Sequence, residues 1–240
     1  MTGLRSGRRA FVDLHCHTRA SFDSLSSPAG VVRAAARQGL THLAITDHDR
    51  IDGALEARDR ALEMGVREPG TAAVTIIVGQ EIRTRGGDLI GAFLERAVPS
   101  GLAVAEAIAA VREQGGLVGI PHPFDRNRNS ILRGPAAESF VPLVDWIETH
   151  NARVVFNDGN ERARRFALEQ GSPGVAVSDA HTVLEVGVAY IALDGDPSTP
   201  ARLLAALAGA ELVPGRASVF ARLVTPVAKL IQTARGNGRA

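Results

Sequence analysis

Short apolar stretches alternate along the chain with longer amphipathic ones. The apolar stretches have the length and the β-branched content of strands, and the alternation predicts a mostly parallel sheet. The predicted strands, in chain order, are FVDLH, THLAIT, VTIIVGQEI, the strand after the glycine turn in TRGGDLIGAFL, LVGIPH, DWIETHN, GVAVSDAH and AYIAL. The third is almost continuously apolar, which is typical of a strand that is covered on both faces.

The amphipathic stretches between these strands predict helices. They are SPAGVVRAAARQG, GALEARDRALEMG, AVAEAIAAVREQGG, the region of AAESFVPLV, and NERARRFALEQG. The first should begin with Ser27 as its N-cap and Pro28 in its first turn, and it should end at Gly39. Strand–helix alternation of this kind forms an open sheet or a barrel, and both place ligand sites at the carboxyl ends of the strands.

The length of 240 residues suits a single domain of the α/β barrel type. We expect a basic N-terminal tail over 1–10, a barrel domain over 11–195 and a C-terminal extension over 196–240. The extension is expected to be mostly helical and to pack on or beside the barrel. Its last helix could cover the bottom of the barrel or bind a partner.

Composition narrows the class of protein. The chain has 45% hydrophobic residues, 22% charged residues and a net charge of +1. This composition gives no general reason to expect a surface that binds nucleic acid or membranes. The single cysteine, Cys16, excludes an internal disulfide framework and fits a reducing compartment. The N-terminal segment lacks the apolar region of a signal peptide, and no apolar run approaches the roughly 18–20 residues of a membrane span. We therefore expect a cytoplasmic protein that does not bind membranes.

The first predicted strand ends in HCH. Side chains two residues apart on a strand share a face, so His15 and His17 should point to one place while Cys16 faces the other way. Imidazole nitrogens bind zinc, iron and manganese. The pair alone does not establish a metal site, so the polar residues at the other strand ends decide the matter.

The other predicted strands also end in titratable residues. These are Asp47 and His48, Glu81, His122, Glu148 with His150 and Asn151, and Asp179 with His181. Burying an unpaired charge is costly, so such groups indicate pairing or metal binding. Because the strand ends meet in space, residues far apart in the sequence should converge on one site.

The order HCH, an aspartate after a short gap (Asp23), TDHD, a lone glutamate, HPFD and SDAH resembles the PHP (polymerase and histidinol phosphatase) family. It is similar in particular to the small stand-alone bacterial metal-dependent phosphoesterases of that family, over roughly residues 11–190. The resemblance implies a distorted seven-stranded (β/α) barrel that holds two or three divalent metal ions, which would be manganese, zinc or iron.

The resemblance also implies a set of ligands for each metal. The first metal would take His15, His17, Glu81 and Asp179; the second would share Glu81 and add His122, with His150 as a further candidate; the third would take Asp23, His48 and His181. Position 23 is Asp where some members have His, which favours harder metals such as manganese. Relatives often carry an apolar residue in place of His150, so its role stays open.

We expect a metal-dependent phosphoric ester hydrolase in which metal-activated hydroxide attacks phosphorus in line. Glu81, Asp179 and His181 are the candidate catalytic residues. The substrate would be a nucleotide monophosphate or bisphosphate, or a short oligonucleotide. Arginines follow two of the candidate ligands, and their guanidinium groups suit phosphate binding. They are Arg126, Arg128 and Arg133 after His122, and Arg153 after His150.

Two alternatives are considered. Amidohydrolase barrels, which cleave C–N bonds, also use HxH, but they would need a bridging lysine at a strand end, where this chain has Glu81 instead. A non-catalytic metal-stabilised PHP module would be marked by loss of ligands, and here the set is intact.

Asp13 could orient an imidazole or bind the barrel backbone, and Cys16 is interpreted as a small buried apolar residue. The oligomeric state is not predicted.

Overall fold

The computed structural model describes residues 9–67, 73–126, 128, 130, 137–154 and 158–238. Its nine strands form one sheet in the order β7-β6-β5-β4-β3-β2-β1-β8-β9. They are β1 (Arg9–Asp13), β2 (His42–Ile45), β3 (Thr75–Thr84), β4 (Gly87–Ala92), β5 (Leu117–Ile120), β6 (Trp146–Asn151), β7 (Gly174–Val177), β8 (Tyr190–Asp194) and β9 (Glu211–Val213).

The sheet closes almost completely into a barrel. Cys16, just after β1, forms a parallel bridge with Ala180, just after β7. This bridge connects the ends of β1 and β7, which are far apart in the strand order of the sheet. The barrel class is therefore confirmed, but the expected strand number of seven is wrong. Because β8 pairs antiparallel with β1 and β9 pairs antiparallel with β8, two further strands extend the sheet. Strand β4 is also antiparallel to both of its neighbours, β3 and β5.

Seven helices are described between and after the strands. They are α1 (Pro28–Arg37), α2 (Asp52–Arg67), α3 (Val104–Arg112), α4 (Ala137–Phe140), α5 (Gly159–Gln170), α6 (Pro200–Leu207) and α7 (Val219–Ala234). A 3-10 turn, Val141–Leu143, follows α4. At the start of α1 the hydroxyl of Ser27 accepts a hydrogen bond from the amide of Gly30, as expected of an N-cap. The helix ends before Gly39, whose φ of +76° suits glycine.

The core consists of two layers of apolar side chains. One joins the helices α1, α2 and α3 to the sheet. The other lies among the strands, contains Ile77, Ile90 and Trp146, and reaches Leu203 and Leu207 of α6. The indole of Trp146 is fully buried, and a Cβ atom at Gly119 would lie 2.2 Å from it. Glycine at this point of β5 therefore makes room for the largest side chain of the core.

The C-terminal part of the chain contributes to the sheet and packs against the loop that follows β1. Strand β9 pairs with β8, and α7 reaches the loop after β1 through Gln232. This buried side chain donates hydrogen bonds to the carbonyl groups of Arg19, Ser21 and Ser24, at 2.6, 3.0 and 2.9 Å. No described helix combines the length and the apolar character that crossing a bilayer would require.

Candidate metal centre

His15 and His17 lie directly after β1, on either side of the residue that bridges to Ala180. Both are buried, and their Nε2 atoms are 3.0 Å apart. Cys16 between them is also buried and belongs to the apolar core, as interpreted from the sequence. Alternation along an extended chain thus brings the two imidazoles to one point, as the HCH pattern predicts.

Among the described residues, nine side chains form three groups, two of which share His17, and in each group the possible ligand atoms lie within 4.8 Å of one another. The groups are His15, His17 and Asp179; His17, Asp23, His48 and His181; and Glu81, Asp88 and His122. Eight of these residues are candidates from the sequence, and Asp88 is an addition. Each group offers imidazole and carboxylate atoms, which are ligands for zinc, manganese and iron.

Glu81 lies between these groups. Its Oε1 is 2.9 Å from Nε2 of His122, and its Oε2 is 3.3 Å from His15, 3.4 Å from His17 and 3.3 Å from His48. The sequence analysis expected this glutamate at the end of its strand. It lies inside β3 instead, because β3 continues to Thr84 and then turns into β4. The two oxygens of one carboxylate therefore face two different groups of ligands.

Hydrogen bonds to the outer nitrogens orient the imidazoles. Nδ1 of His15 lies 2.6 Å from Oε1 of Glu148, and Nδ1 of His181 lies 2.8 Å from the carbonyl oxygen of Asp179. Since these partners accept hydrogen bonds, Nδ1 carries the proton and Nε2 presents its lone pair to the interior. A carbonyl cannot donate, so this tautomer of His181 is required by its partner.

The unsatisfied atoms of the site indicate cations. Asp23 Oδ1, Asp179 Oδ1 and His122 Nδ1 are buried and have no hydrogen-bond partner among the described residues. Buried polar atoms are rarely left unpaired, and two imidazole nitrogens 3.0 Å apart need a proton or a cation between them. The residues present therefore fit the divalent metals that the sequence implies.

The carboxylates of the site are held in the ionised form. Burial opposes ionisation of Asp23, but His181 and His48 outweigh it, so the pKa of this carboxyl lies well below its usual value. Burial likewise opposes ionisation of Asp179, and Arg128 and His15 bring its pKa well below normal. Ionised carboxylates are the form in which these groups bind metals.

The pKa values of Glu81 and His181 are also lowered, which favours the forms of both side chains that bind metals. Burial disfavours the charged form of Glu81, but His48 and His15 hold its pKa well below the ordinary value. Burial lowers the pKa of His181 to about 3 in spite of the nearby carboxylate of Asp23. At neutral pH, His181 is therefore neutral, and its Nε2 lone pair is available to a metal ion.

Two of the candidate ligands occupy left-handed backbone conformations. The φ angle is +29° at His122 and +52° at Asp179. Such angles are uncommon for residues other than glycine and cost of order 1–3 kcal/mol. The amide of His122 is held by a hydrogen bond of 2.8 Å to Oε2 of Glu148. The fold thus maintains an unfavourable backbone at two of the places where candidate ligands follow a strand.

The predicted arginines are distributed unevenly around the site. Arg128 forms an ion pair with Asp179, while the buried Arg153 donates hydrogen bonds of 2.8 Å to Glu185 and to the hydroxyl of Thr225. Arg126 is exposed, 3.9 Å from Asp158. Arg133 lies outside the described residues.

A cavity of 270 Å³ opens above the candidate ligands. Its wall includes Asp23, His48, Glu81, Asp88 and His181, together with Phe22, Arg128, Arg153, Thr225 and Lys229. Lys229, from α7, is the only lysine of the chain, and its Nζ lies 5.4 Å from the ring centre of Phe22. Three cationic side chains thus line a cavity whose floor consists of the candidate metal ligands.

Two residues considered from the sequence lie elsewhere. Nε2 of His150 is 2.7 Å from the carbonyl oxygen of Gly215, outside the three ligand groups, because a bulge in the pairing of β6 with β7 follows Glu148. Asp13 accepts hydrogen bonds from the amides of Ser178 and Gly187, at 3.0 and 3.3 Å. Of its two alternatives, Asp13 therefore takes the one in which it binds backbone.

Sequence reasoning placed Glu148 among the converging strand-end residues but gave it no role towards a metal ligand, and it missed Asp88 and Lys229. An acidic residue within an apolar strand is a usable signal for the first two, since both strands are buried on either side of it. Lys229 carries a weaker signal, because its helix is amphipathic whether it packs on the metal end or elsewhere. Its position emerges only from the tertiary structure.

Comparison with known proteins identifies the family. The PHP domain model matches residues 13–138, and a PHP-associated model matches residues 157–211. The chain belongs to the PHP family. The uncharacterized protein MJ0417 of Methanocaldococcus jannaschii is 34% identical over 183 residues, which are 75% of this chain and 69% of that relative.

Alignments with other relatives cover different shares of this chain. A 5'-3' exoribonuclease of Haemophilus influenzae is 34% identical over 125 residues, or 47% of this chain and 42% of the relative. Among solved structures, a two-domain protein from Bacteroides vulgatus containing a predicted PHP-like metal-dependent phosphoesterase superposes with a TM-score of 0.71 and 17% identity. That alignment covers 90% of this chain and 67% of the other, and it shows the PHP fold.

Proposed function

We propose that this PHP-family chain is a metal-dependent phosphoesterase that hydrolyses a nucleotide monophosphate or bisphosphate, or a short oligonucleotide. The observation that carries the proposal is the position of Glu81, whose two oxygens face different groups of candidate ligands. A carboxylate that bridges metal ions is the arrangement expected of a multi-metal hydrolase. The named activity of the exoribonuclease relative supports the choice of a nucleotide substrate.

Manganese, zinc or iron bound to these residues would lower the pKa of a water molecule and neutralise charge on the phosphate oxygens. The chain supplies the conditions for this chemistry. Asp179 and Glu81 contribute ionised carboxylates, and His181 contributes a neutral imidazole. Glu81 would hold metal ions through both of its oxygens, and Asp179 and His181 would be further ligands of the reacting centre.

Recognition of the phosphate is assigned to the cations of the cavity. Arg128, Arg153 and Lys229 line the same space as Glu81, so an anion above the metal ligands would meet all three. Arg153 is held in place by Glu185 and Thr225, which reduces the conformational entropy it loses on binding. Arg126 is exposed and lies near Asp158, so we do not assign it to the phosphate that would bind above Glu81.

The ring of Phe22 provides an apolar surface beside the cations. It lines the 270 Å³ cavity and also a second cavity of 540 Å³ that shares Phe22 and His48 with the first. Aromatic rings next to cationic grooves suit nucleobases, which stack without requiring a particular sequence. A nucleotide or a short single strand of nucleic acid could thus place its phosphate over Glu81 and its base near Phe22.

The test begins with the metal content of the purified protein. Phosphate release from panels of monoesters and diesters would then be measured with manganese, zinc and iron, for the wild type and for Glu81→Gln. We expect turnover of nucleotide substrates by the wild type, and loss of both activity and one metal equivalent in the variant. Full metal content with full activity in Glu81→Gln would exclude the bridging role.

The same measurements separate the alternatives. Bound metal without turnover of any phosphoester would favour a non-catalytic metal-stabilised module. Turnover of amides but not of phosphoesters would favour a hydrolase of C–N bonds. A matched control is Glu161→Gln, an exposed carboxylate on α5 that pairs with Arg164 on the same helix and should leave both metal content and activity unchanged.

A further inference from the structure

Helix α7 exposes a stripe of large apolar side chains on the side away from the barrel. Phe220 is 83% exposed, Leu223 61%, Val227 54% and Leu230 73%. On the opposite side Ala221, Ala228 and Gln232 are buried against the body of the protein. Single exposed apolar residues are ordinary on protein surfaces, but four in a row along one helix mark an interaction surface.

We propose that this stripe packs antiparallel against α7 of a second copy of the chain, forming a symmetric homodimer. The stripe has spacings of three, four and three residues, so it reads the same in both directions around position 225. In an antiparallel pair related by a two-fold axis, Phe220 would face Leu230 of the partner subunit, and Leu223 would face Val227 of the partner subunit. A self-complementary surface of this kind is what a two-fold interface requires.

The charges of α7 also favour a second copy as the occupant. The helix contains no acidic residue and has two cationic residues, Arg222 and Lys229. Lys229 lines the metal cavity, and burial together with Arg153 and Arg128 lowers the pKa of Arg222. The apolar stripe is flanked on its other side by Val224 and Ile231.

The distribution of charged residues on α7 distinguishes between the molecules that could cover the apolar stripe. Two stripes related by a two-fold axis would meet without bringing like charges together along their contact. A helix that binds an anionic membrane instead carries basic residues on the face opposite its apolar stripe, free to reach the lipid headgroups. Here that opposite face is packed against the protein, which disfavours a lipid surface.

The dimer would connect the interface to the metal end of the barrel. The inner side of α7 carries Thr225, Lys229 and Gln232, which contact Arg153, the cavity and the loop after β1. Pairing of the outer sides would therefore hold the helix in place over the cavity. With 16 residues α7 is about 24 Å long, so the contact is small and the dimer should dissociate on dilution.

The first test is the molar mass of the full chain, measured by light scattering and sedimentation over a wide range of concentrations. We expect a reversible monomer–dimer equilibrium for the wild type and a monomer at all concentrations for Leu223→Asp. Leu168→Glu, at a residue of α5 that is 74% exposed, is the matched control and should dimerise like the wild type. Circular dichroism melting would show that each variant remains folded.

The second test examines the pairing itself. Phe220→Lys and Leu230→Glu should each abolish the dimer, and the double variant should restore it, because every new lysine would face a new glutamate across the axis. A double variant with glutamate at both positions should stay monomeric. The proposal is overturned if the wild type is monomeric throughout, or if it associates but the α7 variants do not alter the association. It is also overturned if the monomer binds phosphatidylglycerol vesicles and Leu223→Asp abolishes that binding.

Discussion

Oε1 of Glu148 lies 2.6 Å from Nδ1 of His15, and both side chains are fully buried. The second oxygen of Glu148 accepts hydrogen bonds from the amide of His122 and from the side chain of Asn151, at 2.8 and 2.9 Å. One carboxylate of β6 therefore orients the imidazole of one candidate ligand and the backbone of another.

Glu148→Gln should weaken metal binding without removing a ligand. A glutamine cannot accept through both terminal atoms, so either His15 or the amide of His122 loses its partner. Loss of such an outer partner commonly reduces metal affinity by about 10–100-fold. The measurement is competition with a chromophoric chelator. The control is Glu113→Gln, an exposed residue after α3, and equal affinities for the two variants would contradict the assigned role.

Asp88→Asn should remove metal from the group that contains Glu81 and His122. Asp88 is buried within β4 and is the one member of the three groups that the sequence did not suggest. We expect a lower metal stoichiometry by elemental analysis, with the other groups still loaded. Asp125→Asn is a suitable control, because Asp125 is similarly buried near Arg128 but belongs to none of the described groups. An unchanged stoichiometry in Asp88→Asn would remove this residue from the centre.

Gln232→Ala should affect both stability and the metal centre. Its side-chain amide fixes the loop that carries Asp23, and leaving those buried carbonyls unpaired should cost about 1–3 kcal/mol of unfolding free energy. The loop would then position Asp23 less well. Chemical denaturation and chelator competition are the two measurements.

Gln114 provides the matched control for Gln232. Its side chain also makes several hydrogen bonds, to the amides of Glu95 and Arg96 and to the carbonyl of Ala110, but it lies at the end of α3. Gln114→Ala should lower stability while leaving metal affinity unchanged. If both variants lowered stability and neither altered metal affinity, Gln232 would have a purely structural role.

Lys229→Ala should raise KM for a phosphorylated substrate more than it lowers kcat. Loss of one charged contact to phosphate corresponds to about 1.5–3 kcal/mol, or roughly 10–150-fold in binding. Lys229→Arg keeps the charge and should retain most of the affinity. Because Lys229 is the only lysine of the chain, an amine-reactive reagent can modify this side chain and otherwise only the N-terminus. Phosphate should protect it from modification, and absence of protection would place the substrate elsewhere.

Gly119→Ala should destabilise the barrel. The added Cβ would lie 2.2 Å from the buried indole of Trp146, and such overpacking typically costs about 1–3 kcal/mol. Gly65→Ala, in the exposed part of α2 where a Cβ meets no atom closer than 4.0 Å, should instead stabilise by about 0.5–1 kcal/mol. Urea denaturation of both variants gives the comparison, and a neutral Gly119→Ala would show that Trp146 can move.

The sequence predicts most of the candidate centre, because strand alternation places residues such as His15 and His17 on one face and parallel strands end together. It does not predict that Glu81 lies inside its strand, since the two-residue turn between Thr84 and Gly87 allows β3 and β4 to extend as a hairpin beyond the barrel's parallel part. The role of Glu148 depends on its contact with His15, which is 133 residues away in the sequence.

The same limit applies to the C-terminal helix and to His150 in β6, whose places the sequence left open. The apolar pattern of α7 defines two faces of a helix but not the surface on which the helix packs. His150 follows Glu148 by two residues, so strict alternation would have placed both on one face, but a bulge breaks the alternation between them. Local patterns thus determine which elements form, whereas long-range packing determines which of their residues meet.

The left-handed backbone at His122 and Asp179 has a consequence for how this protein can change. Glycine would adopt these angles without the steric penalty, so in the absence of metal the two ligands keep backbone strain that their metal-binding role requires. Selection for stability alone would erode the centre at two strand ends, and any lineage that lost the need for the metals should drift towards glycine there.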